Sequence, residues 1–123
     1  MKLSEAIEQV RMEKPHSFSD DHCTLFVTEI EAMVQEFLGV PASERIKYKW
    51  EDDGNKELIA PAPYDRLYIS WLKAKIDYCN QELESYANNQ DQHTADMQEF
   101  KAWAIREDKV LNKPTAKLRN WWC

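Results

Sequence analysis

Three groups of residues carry side chains able to do chemistry. His16, His22 and Cys23 are metal-binding types. His22 and Cys23 are neighbours on a helical segment, so they point in different directions, and no fourth ligand stands near them in sequence. A capped helix start accounts for this group. The pairs Asp20–Asp21 and Asp52–Asp53 suggest calcium binding or acid/base work. The loop around Asp52 lacks the twelve-residue ligand pattern of a calcium loop, and turn formation and helix-dipole compensation explain both pairs. The third group would be nucleophiles. No Ser or Cys lies in a motif that places it beside a histidine, and there is no phosphate loop. The chain reads as a protein that is not an enzyme and takes no cofactor or metal.

What remains is binding. Tyr48, Trp50, Lys117, Arg119, Trp121 and Trp122 are the candidate partner-contacting residues, because Trp, Tyr and Arg most often carry interface energy. From Lys109 onward there are four basic residues (Lys109, Lys113, Lys117, Arg119) and no acidic ones. The preceding 108 residues hold 12 basic and 22 acidic residues. An acidic body with a basic tail attracts its own copies head to tail. Two exposed tryptophans on a free monomer would be an aggregation liability. Either they fold back on the body or they anchor on another subunit. A net charge of −6 argues against general nucleic-acid binding, and four tail charges give only weak, salt-sensitive contact.

The elements that position these residues are helical. The chain of 123 residues has only two glycines, Gly39 and Gly54, which favours helix over a many-turned β fold. Pro61 and Pro63 precede a run in which Tyr64, Leu67, Tyr68, Trp71, Leu72, Ile76, Cys79, Leu83 and Tyr86 share one helical face. This spacing predicts a central rod over 64–86, about 35 Å long. Leu3, Ile7 and Val10 predict a short first helix with Ser4 as its cap, ended by Pro15. Ser19 caps a second helix whose stripe runs from Cys23 through Phe26, Val27, Ile30, Met33, Val34 and Phe37 to Leu38. Gly39 and Pro41 stop it, and Thr28, Glu29, Glu31, Gln35 and Glu36 are expected to face mostly outward.

Ile46, Tyr48 and Trp50 alternate with Lys47 and Lys49, the period of a half-buried strand. The Asp53-Gly54 turn and residues 57–60 then predict a β-hairpin inserted at 45–60. Past Asn88-Asn89, a helix over 94–108 folds back on the rod. The expected architecture is therefore mainly α. It comprises a helical bundle over 1–108 with one β-hairpin or extended loop, and an extended tail over 109–123. Cys23, Cys79 and Cys123 are odd in number and widely spaced, with the first two on apolar faces, which fits a reducing cytoplasm. No run has the length of a membrane span, and the start lacks the apolar core of a signal peptide.

Three stretches, MKLSEAIEQVRM, SDDHCTLFVTEIEAMVQEFLG and LIAPAPYDRLYISWLKAKIDYCNQELESY, resemble a family of tailed-phage head-completion proteins. These are the head–tail connectors or adaptors of siphophages, encoded beside the capsid gene in prophages of Gram-positive bacteria. The most telling run is Pro61–Asn80. The resemblance covers about residues 1–108, and the tail departs from the shorter members. It implies a small helical virion protein that forms a ring, commonly of about twelve copies, beneath the portal after DNA packaging. The implied partners are its own copies, the portal protein and a tail-completion or tail-terminator protein. DNA would pass through the ring without sequence-specific binding, and no membrane is involved. The location would be the virion neck, with the host cytoplasm before assembly. The family brings no catalytic residues. The alternative reading is a small cytoplasmic protein-binding adaptor or regulatory domain.

Overall fold

A computed structural model of the chain describes residues 1–111. It is mainly helical. The helices are α1 (Leu3–Glu13), α2 (Asp20–Leu38), the single turn α3 (Trp50–Asp53), α4 (Arg66–Cys79) and α5 (Leu83–Arg106). The predicted tail residues Lys117, Arg119, Trp121 and Trp122 lie outside the described residues.

α4 is the hub, because it packs on α1, α2 and α5. Its Leu67, Tyr68, Leu72 and Ile76 are wholly buried. Leu3, Ile7 and Val10 of α1, Val27, Ile30 and Val34 of α2, and Phe100 and Ala104 of α5 close around them. Each of the Leu, Ile, Val and Phe side chains contributes roughly 1.5–3 kcal/mol by leaving water. α1 runs parallel to α4, with Met1 near Asp65 and Lys14 near Asp77. α2 and α5 run the opposite way. The Trp71 indole N–H donates to the Phe26 carbonyl at 2.8 Å, Glu31 meets Tyr68, and Tyr64 stacks on Trp103.

The helix ends follow local chemistry. Ser19 Oγ accepts from the His22 N–H at 3.1 Å, and Gly39 takes the left-handed conformation (φ 88°) that ends α2. α1 is started by Lys2, not Ser4: the Lys2 N–H donates to Glu5 Oε1, while the Leu3 and Ser4 N–H groups donate to the carbonyls of Lys56 and Gly54.

Glu31 and Gln35, expected to face outward, are buried, and two longer stretches also differ from expectation. No β-hairpin forms at 45–60, and no strand occurs among the described residues. Alternate N–H groups of the segment do point one way, but their acceptors are side chains of α2. The Ile46 N–H donates to Gln35 Oε1 and the Tyr48 N–H to Thr28 Oγ1. The chain then makes the α3 turn, with Asp53 Oδ2 accepting from the Lys49 N–H. Glu57 pairs with Lys2 in an isolated antiparallel bridge. The predicted rod over 64–86 is also cut short. α4 ends at Cys79, Gln81 adopts φ 58°, and the chain reverses there. The fold-back occurs as expected but eight residues earlier, and Asn88-Asn89 lie inside α5. Cys79 and Leu83, expected on the apolar face, are exposed at this turn.

Candidate functional site

The polar groups drawn into the interior form two clasps. The first is on α2. Thr28, Glu31 and Gln35 recur at three- and four-residue spacing, so they form one row beside the apolar stripe. Glu31 is wholly buried. Its Oε1 accepts from the Tyr68 hydroxyl at 2.6 Å, and its Oε2 accepts from the Tyr48 hydroxyl at 2.8 Å and the Ile59 N–H at 3.1 Å. The Tyr68 hydroxyl in turn accepts from the Ala60 N–H at 2.9 Å. One carboxylate thus fastens α4 and both limbs of the 46–60 segment to α2. Burial pushes the Glu31 carboxyl above its usual range, against the three donors that favour its charge. Burial and the Glu31 charge also push both tyrosine hydroxyls far up, so they stay protonated donors.

The second clasp lies at the far end of α4. Asp77 is wholly buried and forms an ion pair with Lys14 of α1. Its Oδ2 accepts from Ser85 Oγ and Asn89 Nδ2, both at 2.6 Å. Burial alone would raise the Asp77 carboxyl, but Lys14, Ser85 and Asn89 together hold it below the usual range.

A third buried group, Ser70 and His93, has the residue types of a hydrolase pair. His93 Nδ1 lies 3.0 Å from the Leu67 carbonyl and 3.4 Å from Ser70 Oγ. A carbonyl only accepts, so Nδ1 carries the proton and is no base for Ser70. Ser70 Oγ sits 3.3 Å from the carbonyls of both Arg66 and Leu67. Asp96 accepts from Gln92 rather than orienting the imidazole. Burial depresses the His93 pKa, which keeps the ring neutral. The pair ties α5 to α4.

The residues singled out by sequence fall in different places. Tyr48 is 7% exposed, with its hydroxyl committed to Glu31. Trp50 is half-buried at the start of α3. His16, Phe18, His22 and Phe26 form a run of ring contacts between α1 and α2. Cys23 is buried, and Asp20 pairs with Arg11 at 2.7 Å. No cluster of three or more metal-ligating side chains forms among the described residues.

Glu31, Gln35, Asp77, Asn89 and His93 were not singled out by the sequence. Their signal was present: Glu31 and Gln35 border Ile30 and Val34, and Asp77 follows Ile76 in the apolar stripe of α4. A polar residue at a core register needs a partner, and that need points to these clasps.

The outer surface is acidic and carries isolated apolar side chains. Tyr78 (60% exposed) and Leu83 (68% exposed) flank the α4–α5 turn. Beside them an open concavity is lined by Glu82, Leu83, Glu84, Ser85 and Asn88. No described helix is long and apolar enough to cross a membrane. Compared with protein-family models, curated proteins and solved structures, the chain matches none.

Proposed function

We propose that the protein acts by protein–protein binding, as a virion structural protein of the tailed-phage head–tail connector type. In this reading copies form a ring between the portal and the tail. The observation that carries it is the correspondence between resemblance and core. The three stretches that resemble connectors supply α1, α2 and α4, the helices that interlock through α4. The buried Glu31, Asp77, Ser70 and His93 side chains are engaged within the fold, and in this reading the outer surface and the tail are the working parts. The acidic body suits a channel through which DNA slides, since like charge prevents the phosphates from sticking. Trp50, Lys117, Arg119, Trp121 and Trp122 are the contact residues of this proposal, and Tyr48 holds the segment that carries Trp50.

The test is binding to a cognate portal protein. Mass photometry of purified portal with excess protein should show a mass gain equal to a ring of copies. Deleting residues 112–123 should leave the helical circular dichroism intact and weaken the gain at least tenfold. An unchanged portal mass at saturating protein overturns the ring. Capture of a single unrelated protein by the full chain would then favour the adaptor reading.

A further inference from the structure

We infer that the α4–α5 turn is the seat for residues 112–123 of a second copy. The inference rests on the assembly reading above and deepens it by naming the receiving surface. Three observations carry it.

The first is shape and polarity. Tyr78 and Leu83 stand exposed on either side of the turn, and the Tyr78 ring leans on Tyr86 at 5.4 Å between centroids. The adjoining concavity of about 440 Å3 is lined by Glu82, Leu83, Glu84, Ser85 and Asn88. The exposed Leu83 and Tyr78 side chains, with the Glu82 and Glu84 carboxylates lining the concavity at the α4–α5 turn, suit a ligand that is aromatic and cationic.

The second is charge. Around the turn stand the carboxylates Glu13, Asp77, Glu82 and Glu84. Two ammonium groups answer them: Lys73 pairs with Glu13, and Lys14 is shared by Asp77 and Glu82. The seat is therefore net negative. Residues 112–123 carry Lys113, Lys117, Arg119, Trp121 and Trp122 and no acidic residue. Their charge and their aromatics are the complement of the seat.

The third is reach. The Leu111 N–H donates to the Leu38 carbonyl at 2.7 Å, so the tail departs at the C-terminal end of α2, beside the end of α5. The turn lies at the other end of α5, about 35 Å away at 1.5 Å per residue. Trp121 is ten residues beyond Leu111 and reaches at most about 33–36 Å when fully extended. A chain's own tail would have to be drawn straight to arrive, so the seat is assigned to the tail of a neighbouring copy, whose starting point is not tied to the far end of the same α5. The contact is head to tail, the geometry from which rings close.

The chain supplies its own reporters. Cys79 is exposed at the turn, Cys123 follows Trp122, and Cys23 is buried. In the docked pair Cys123 of one copy comes close to Cys79 of the next. The experiment oxidises full-length protein with diamide, which takes two electrons and two protons from a pair of thiols as their disulfide forms. A mixture of Cys79→Ser and Cys123→Ser chains should give a covalent dimer joined Cys79 to Cys123 by peptide mapping. Either variant alone should give less than a tenth of that yield. Leu83→Lys with Glu84→Lys, both at exposed positions, should lower the yield of the mixture at least tenfold while circular dichroism stays unchanged.

A mixture that yields no more dimer than either variant alone overturns the inference. So does a Cys79–Cys123 bond confined to single wild-type chains, or a yield indifferent to the charge reversal. A ring on the portal without this disulfide would remove the seat and leave the connector reading standing. The disulfide without any portal binding would do the reverse.

Discussion

Glu31 and Asp77 are both wholly buried carboxylates that fasten other segments to the two ends of α4, but they are neutralised differently. Glu31 meets only neutral donors, two tyrosine hydroxyls and one backbone N–H. Asp77 meets a lysine ammonium as well as Ser85 and Asn89. Burial therefore wins at Glu31 and raises its pKa, while the lysine and the two hydrogen bonds win at Asp77 and lower it. The same carboxylate group thus does two jobs. At Glu31 it organises a segment whose own secondary structure is only the single turn α3 and one isolated bridge. At Asp77 it fixes where α4 stops and α5 begins.

The largest effect should come from Glu31→Ala. It strands the Tyr48 hydroxyl and the Ile59 N–H and removes one partner from Tyr68. Hydrogen bonds to a charged group are worth about 1.5–3 kcal/mol each, and relief of desolvation offsets part of the loss. A net destabilisation of about 3–5 kcal/mol is expected from urea unfolding. A loss below about 1 kcal/mol would show that the clasp does not hold the 46–60 segment.

Asp77→Ala should cost less, about 2 kcal/mol, because Lys14 is partly exposed and keeps Glu82 at 3.1 Å. Hydrogen exchange should show the loss concentrated around 77–89, in contrast to the 46–60 segment for Glu31→Ala. Overlapping exchange patterns would break the division of labour between the clasps.

Within the first clasp, Tyr68→Phe should exceed Tyr48→Phe. Tyr48→Phe removes one hydrogen bond, about 1.5 kcal/mol, whereas Tyr68→Phe also leaves the Ala60 N–H without its acceptor. The reverse order in denaturant midpoints would mean that the Ala60 link carries no weight.

The smallest effect is the pH dependence, and its sign separates the clasps. A raised carboxyl pKa means that the fold binds the proton more tightly than the unfolded chain. The Glu31 contribution is therefore full below the ordinary value of 4.5 and is lost as pH rises through the raised value. The Asp77 contribution is full above the ordinary value of 3.8 and is lost as pH falls through its lowered value. His16 and His93, both depressed by burial, contribute stability above 6.5 that is lost as pH falls, so the parent alone mixes these slopes. Relative to the parent, Glu31→Gln should therefore gain stability as pH rises from 4.5 and level off above the raised value. Asp77→Asn should differ from the parent less as pH falls below 3.8. Parallel stability curves for parent and Glu31→Gln would contradict the raised pKa.

The helices were legible because their apolar registers are regular and their stops are chemical. Ser19 and Gly39 bracket α2 as read, and Leu67, Tyr68, Leu72 and Ile76 of α4 face the core as read. The end of α4 was not legible, because no glycine or proline marks it. Gln81 takes a left-handed conformation where Asp77 binds Ser85 and Asn89 across the turn, a tertiary preference that no local propensity encodes. The 46–60 segment was misread for a related reason. Its period of two is real, but Gln35 and Thr28 of a helix, not a second strand, accept from its backbone. Glu31 and Gln35 read as outward because charge and amide usually are, and partners distant in sequence reverse that: two tyrosine hydroxyls for Glu31 and the Ile46 N–H for Gln35.

In the proposed function this fold works as a ring component whose surface and tail do the binding. Cryo-electron microscopy of purified portal saturated with the full chain tests it most directly. A closed ring of this chain beneath the portal is expected, each α4–α5 turn covered by residues 112–123 of its neighbour. Portal particles left bare at saturating protein would contradict it.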